Sequence, residues 1–195
     1  MELRNPRCDR EIVTMRLGFD LDNVIIHYPP VVPEWVFDTF YKEKDHTTLR
    51  YRIPGKIEQK GRQLLHLPFL RLPIKRNLSF LQKLHNENKH ELYLISSRFG
   101  FLKRQTHALA KKYGLTDVFT ELFFNFENEQ PHFFKDMMIK KKKIERYIDD
   151  DLALVTYLAH KNPQTLFFWY NHTENKKILP NLFATTDIQD IANKR

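Results

Sequence analysis

Several common kinds of site are missing from this chain of 195 residues because it lacks the residues that build them. Its single cysteine, Cys8, excludes an internal disulfide and every zinc site that needs more than one thiolate. The five glycines, at 18, 55, 61, 100 and 114, are all isolated, which leaves no Walker-type loop and no glycine-rich dinucleotide fingerprint. The nine histidines show no metal-ligand spacing. No apolar run approaches a membrane span, and the opening MELRNPRCDREIV lacks the apolar stretch of a secretory leader. A cytoplasmic protein with no membrane partner is therefore expected.

What is present fits one globular domain with a small insertion: 42% of the residues are apolar. A formal charge of +8 attracts anions, whether phosphorylated metabolites, nucleic acid or an acidic surface, without choosing among them. Part of the excess is the run KKKK at 140–143. Closing a helix, where cations suit the negative end of the dipole, explains that run better than a nucleic-acid patch does.

Short apolar runs alternate with amphipathic stretches, the pattern of an α/β domain built on a parallel sheet. Strands are predicted at 14–19, 91–95, 121–125, 146–148 and 165–169, and helices at 76–86, 102–113, 132–142, 152–160 and 188–193. Gly114 is placed to end the second helix. Residues 28–73 break the alternation, with YPPVVP at one end and LPFLRLP at the other, and predict a small helical cap inserted after the first strand. The expected organisation is an N-terminal extension at 1–13, a core formed by 14–27 with 74–195, and the cap at 28–73.

Three of the predicted strands end on reactive side chains. MRLGF runs into Asp20 and Asp22, ELYLI into Ser96, Ser97 and Arg98, and ERYI into Asp149, Asp150 and Asp151. Open parallel sheets bind ligands outside the carboxyl ends of their strands, so all three sets are directed to one crevice. Carboxylates gathered there resist ionising together. An all-oxygen site of this kind suits Mg²⁺. A metal alone leaves Asp22 unexplained, whereas a nucleophile and ligand at Asp20 with a proton donor two residues later accounts for both.

These residues resemble the motifs of haloacid dehalogenase superfamily phosphohydrolases: Asp20-Leu-Asp22-Asn-Val24 after an apolar strand, Ser96 closing LYLIS, and Asp149-Asp150 closing YIDD. SSR at 96–98 is similar to the form seen in nucleotidase-like members. Two lysines compete for the remaining motif, Lys135 first and Lys140 second. Asn23 departs from the pattern, since many phosphatases of the family carry Gly there. The resemblance spans residues 14–193 and implies a three-layer Rossmann-like core with a cap.

It also implies a mechanism. Asp20 attacks phosphorus to give an aspartyl phosphate, while Asp22 protonates the leaving oxygen and then activates water. Mg²⁺ binds Asp20, the main-chain carbonyl of Asp22 and Asp149, with Asp150 as a further ligand or as an orienter of Lys135. Ser96 and Lys135 hold phosphoryl oxygens. Asp151 is assigned to the start of the next helix. Dehalogenation is set aside, because halide needs no proton and Asp22 is present.

Plainer readings compete for the other residues. Arg98 either meets a substrate phosphate or solvates a helix start. Trp35, Phe37, Phe40 and Tyr41 are read as cap core in preference to a stacking surface, and Arg62, His66 and Arg71 as possible contacts of an anionic substrate. The expected function is a Mg²⁺-dependent phosphomonoesterase acting on a small phosphorylated metabolite, a nucleotide first and a sugar phosphate second. The competing class is a catalytically weak module that binds nucleic acid or an acidic partner.

Overall fold

The computed structural model describes residues 15–28, 49–171 and 173–193. Its strands are β1 (Met15–Phe19), β2 (His90–Ser96), β3 (Glu121–Phe124), β4 (Arg146–Asp149), β5 (Leu166–Tyr170), β6 (Lys176–Leu179) and β7 (Leu182–Thr185). They form one sheet in the order β3-β2-β1-β4-β5-β7-β6, parallel throughout except where β6 pairs antiparallel with β7. The helices are α1 (Lys56–Leu65), α2 (Lys75–Glu87), α3 (Lys103–Lys112), α4 (Leu115–Val118), α5 (Pro131–Lys142), α6 (Leu152–Lys161) and α7 (Asp190–Asn193).

Each inner strand is apolar on both faces, as a sheet covered on both sides requires. Leu92 and Leu94 face one core together with Leu81 of α2, Leu109 of α3 and Ile191 of α7. Tyr93 and Ile95 face the other, with Phe134 and Met138 of α5 and Leu154 and Leu158 of α6. The period of two along β2 thus divides the molecule into three layers, an α/β domain of Rossmann-like type.

The local signals behave as their chemistry dictates. Gly114 takes a left-handed φ of 62° after α3, and its amide donates to the Lys111 carbonyl at 3.2 Å. Lys140, Lys141 and Lys142 occupy the last turn of α5, and Lys143 caps it in a left-handed conformation. The lysine run therefore closes a helix. Sequence periodicity missed the hairpin of β6 and β7, whose strands have four residues each, while α1 falls inside the segment expected to be a helical cap.

The chain leaves the core after Ile26 and rejoins it beyond residue 72. His27 N donates to the Leu72 carbonyl at 2.9 Å and Ile74 N to the Ile25 carbonyl at 2.8 Å, which brings the two ends of the excursion together. Residues 29–48 of the expected cap, with the aromatics Trp35, Phe37, Phe40 and Tyr41, and residues 1–13 lie outside the described residues. Among the described residues no helix is long and apolar enough to cross a membrane.

Candidate active site

In sheet order the chain steps from β1 outward through β2 to β3 and then crosses back to β4 on the other side of β1. The crevice above β1 and β4 is the switch point at which doubly wound sheets bind ligands. A cavity of about 160 Å³ lies there, and Asp20, Asp22, Ser96, Arg98, Lys135, Asp149 and Asp150 all line it. These seven residues expected from the sequence are thus at one place, whereas Arg62 and Arg71 do not line it.

The turn after β1 separates the two leading carboxylates. Strand pairing ends at Phe19, and Asp20 N donates to the Ile148 carbonyl at 3.0 Å. The chain then coils through Asn23, whose φ of 55° is a left-handed conformation that Asn adopts more readily than most residues. Asn therefore serves here where Gly is the commoner choice. Asn77 Nδ2 donates to the Val24 carbonyl at 2.7 Å and fixes the turn from α2.

Asp20 and Asp149 share one cation. Lys135 Nζ donates to Asp20 Oδ1 and to Asp149 Oδ2, each at 2.6 Å, and all three side chains are buried. Burial acts to lower the Lys135 pKa, but Asp149 and Asp20 outweigh it and hold the ammonium well above its ordinary range. Lys140, by contrast, is exposed and pairs with Asp136 at 2.7 Å. Of the two competing lysines, Lys135 is the one in the cavity.

Tyr147, which no sequence motif selects, donates to Asp149 Oδ2 at 3.0 Å and to the Ile95 carbonyl at 3.2 Å. Gly18 makes room for it, since a Cβ there would lie 2.7 Å from Tyr147 Cδ2.

Oxygens of Asp20, Asp149 and Asp150 lie within 4.8 Å of one another, an all-carboxylate set that fits a hard divalent cation. Burial, with Asp149 and Asp22 adding to it, pushes the Asp20 carboxyl up to about 7 despite Lys135. Burial and the neighbouring Asp149 and Asp20 likewise raise Asp150 well above the usual carboxylate range. Carboxyls in this state carry charge comfortably only when a cation joins them. Ser96 is buried at the end of β2 beside this group.

The Asp22 carboxylate stands apart from that set. Arg98 grips it side-on, Nε to Oδ2 at 2.8 Å and Nη2 to Oδ1 at 2.7 Å, and Arg71 Nη2 also donates to Oδ1. Burial acts to raise the Asp22 pKa, but Arg98 and Arg71 outweigh it and hold the carboxyl far below its ordinary range. Its amide donates to Asp20 Oδ2 at 2.9 Å.

The remaining cationic candidates divide. His66 lines the cavity, with burial and then Arg98 and Arg71 lowering its pKa to about 3, so it is neutral. Arg62 pairs with Glu58 at 2.5 Å. Asp151 caps α6, its Oδ1 accepting from Ala153 N at 3.0 Å and Leu154 N at 3.2 Å.

The same arrangement of strands occurs in solved hydrolases. A haloacid dehalogenase-like family hydrolase from Streptococcus pneumoniae superposes with a TM-score of 0.58 at 12% identity, over 94% of this chain and 100% of that one. The fold is the haloacid dehalogenase fold. A haloacid dehalogenase superfamily hydrolase from Ehrlichia chaffeensis aligns over 91% of this chain and 94% of its own, with a TM-score of 0.54 and 16% identity. A haloacid dehalogenase family enzyme from Bacteroides thetaiotaomicron, solved as an aspartate-to-alanine variant with magnesium and inorganic phosphate, covers 83% of this chain and 96% of its own at a TM-score of 0.53 and 14% identity. No family model matches the sequence, and no curated protein does.

Proposed function

We propose that the chain is a Mg²⁺-dependent phosphomonoester hydrolase of the haloacid dehalogenase superfamily that works through an aspartyl phosphate on Asp20. The observation that carries this reading is the convergence of Asp20, Asp149 and Asp150 within 4.8 Å, with Lys135 bridging the first two. Magnesium and phosphate in the Bacteroides thetaiotaomicron enzyme of the same fold support it. Asp20, Asp149 and Asp150 would hold the cation, with the main-chain carbonyl of Asp22. Bound there, magnesium supplies charge stabilisation to the phosphoryl oxygens and screens the carboxylates from one another.

The chain's own groups account for the rest. An Asp20 oxygen attacks phosphorus as the bond to the leaving oxygen breaks, and Ser96, Lys135 and Arg98 hold the phosphoryl oxygens. Asp22 gives its proton to the leaving oxygen and later takes one from the water that attacks the acyl phosphate, which releases Asp20 and inorganic phosphate. Two arginines keep Asp22 ionised without substrate. An incoming dianion competes for the Arg98 guanidinium, and Asp22 takes up a proton from solvent as Arg98 turns to the phosphoryl oxygens.

The partner in this reading is a small phosphorylated metabolite, and neither nucleic acid nor a membrane is required. A nucleotide is favoured because Tyr28, Tyr51, Phe99 and Phe101 line the cavity beside His66, and aromatic side chains suit a planar group. The test is phosphate release from a panel of nucleotides and sugar phosphates, with Mg²⁺ and with chelator. Release should need the metal and should vanish in Asp20→Asn; full turnover in that variant would sink the scheme.

A further inference from the structure

Residues 29–48 are flanked by two described tyrosines, and both phenols reach the acidic end of β4. Tyr28 donates to Asp150 Oδ2 at 3.0 Å, and Tyr51 donates to Asp151 Oδ2 at 2.9 Å. Both line the cavity, and neither was among the site residues expected from the sequence. Burial and the neighbouring carboxylates raise both phenols above their ordinary range, so each stays a donor at neutral pH.

The two bonds are alike, but the two aspartates are not. Asp151 Oδ1 accepts the amides that begin α6, so with Tyr51 on Oδ2 both of its oxygens are engaged in structure. Asp150 instead belongs to the three carboxylates whose oxygens lie within 4.8 Å. Its main-chain carbonyl is already fixed by Trp169 Nε1 at 2.9 Å, which leaves the rotation of its carboxylate to be set by a side-chain partner. Tyr28 supplies that partner. A hydrogen bond to one oxygen of a metal-facing carboxylate fixes the direction of the other, and loss of such a bond commonly weakens metal affinity by about 10–100-fold.

We propose that Tyr28 is a positioning residue for the divalent cation, orienting Asp150 toward it, and that Tyr51 holds Asp151 for the fold alone. Metal affinity is thereby tied to the point at which the chain leaves the core. This inference rests on the metal reading given above.

The test is direct binding of Mn²⁺, as an electron paramagnetic resonance probe, to the full chain without substrate. Tyr28→Phe should weaken Mn²⁺ binding by about 10–100-fold, while Tyr51→Phe stays within about twofold of the unaltered protein. Melting in chelator, recorded for both variants, separates a loss of metal affinity from a loss of folded protein. Tyr28→Phe binding as tightly as the unaltered protein would overturn the inference and leave the metal reading standing. Equal weakening by both substitutions would also overturn it, because the phenols would then act only through the fold. An unaltered protein that binds no Mn²⁺ would overturn the metal reading and this inference together.

Discussion

Protons and magnesium should compete for the carboxylates above β1 and β4. The perturbation is pH, moved from 8 to 5 during a magnesium titration without substrate. Burial together with Asp149 and Asp22 puts the Asp20 carboxyl at about 7, so the metal-free protein holds a proton there below neutrality. With one such proton to displace, apparent affinity should fall by about 100-fold between pH 8 and pH 5 and level off above neutrality. Asp150, raised by burial and by Asp149, steepens the fall.

Asp22 adds no slope, since Arg98 and Arg71 outweigh its burial and keep it ionised throughout. A metal titration is preferable to melting for a reason of sign. The raised Asp20 pKa makes the metal-free fold lose stability as pH rises from the unfolded value toward about 7. His66, lowered to about 3 by burial and by the arginines, makes it gain stability over nearly the same interval. His66 is no part of the carboxylate set, so its contribution cancels from the metal affinity. Calorimetry in two buffers of different ionisation enthalpy counts the protons directly, and about one from Asp20, with a further contribution from Asp150, should be released per Mg²⁺ at pH 6. An affinity that stays flat between pH 5 and pH 8, or binding at pH 6 without proton release, would refute the reasoning.

Two substitutions test the support around this group. Lys135→Met removes the ammonium from two buried carboxylates and should cost about 3–5 kcal/mol in chelator at pH 8, whereas Lys140→Met, at an exposed pair, should change stability by less than about 0.5 kcal/mol; urea denaturation compares them, and equal effects would reject Lys135 as the bridging lysine. Gly18→Ala places a Cβ 2.7 Å from Tyr147 Cδ2 and should destabilise by about 1–3 kcal/mol, with phosphate release falling as the Tyr147 hydroxyl leaves Asp149; unchanged stability and rate would show that the ring yields freely.

The parallel sheet was legible because each inner strand is a short apolar run that ends on polar residues, a contrast that survives without knowledge of the pairing. MRLGF, ELYLI and ERYI announce both the strands and the crevice where they end. The hairpin of β6 and β7 was not legible: KKIL and LFAT are four residues each, and β6, at the sheet edge, opens with two exposed lysines. Only Ile178 and Leu179 of that strand pack against the core, too short a pattern to betray it.

In the site, spacing identified the carboxylates but not their partners. Arg71 lies 49 residues from Asp22 in the chain, and Tyr147 resembles any buried strand aromatic until its hydroxyl is seen on Asp149. The sequence ranked Lys135 before Lys140 by its place in the helix but left both open, and burial, which the pattern of a lysine-rich helix does not resolve, separates them.

Asp20 and Asp22 are two residues apart, yet their surroundings drive them in opposite directions. The usual inference from such a pair makes the raised carboxyl the acid and the lowered one the base or nucleophile. On the proposed reading the roles are reversed, and the reversal follows from what binding brings. Asp20 is raised first by burial and then by Asp149 and Asp22, against the one lysine that bridges it, a burden that a divalent cation offsets so that Asp20 is ionised for attack. Asp22 is lowered because two guanidiniums converge on one carboxylate, a surplus of positive charge that a phosphoryl dianion can take up. Before binding, the cavity therefore has a region short of positive charge next to a region with too much. A metal ion and a phosphate ester each supply what the other's region lacks, and only when both have arrived does each aspartate reach the protonation state its step requires.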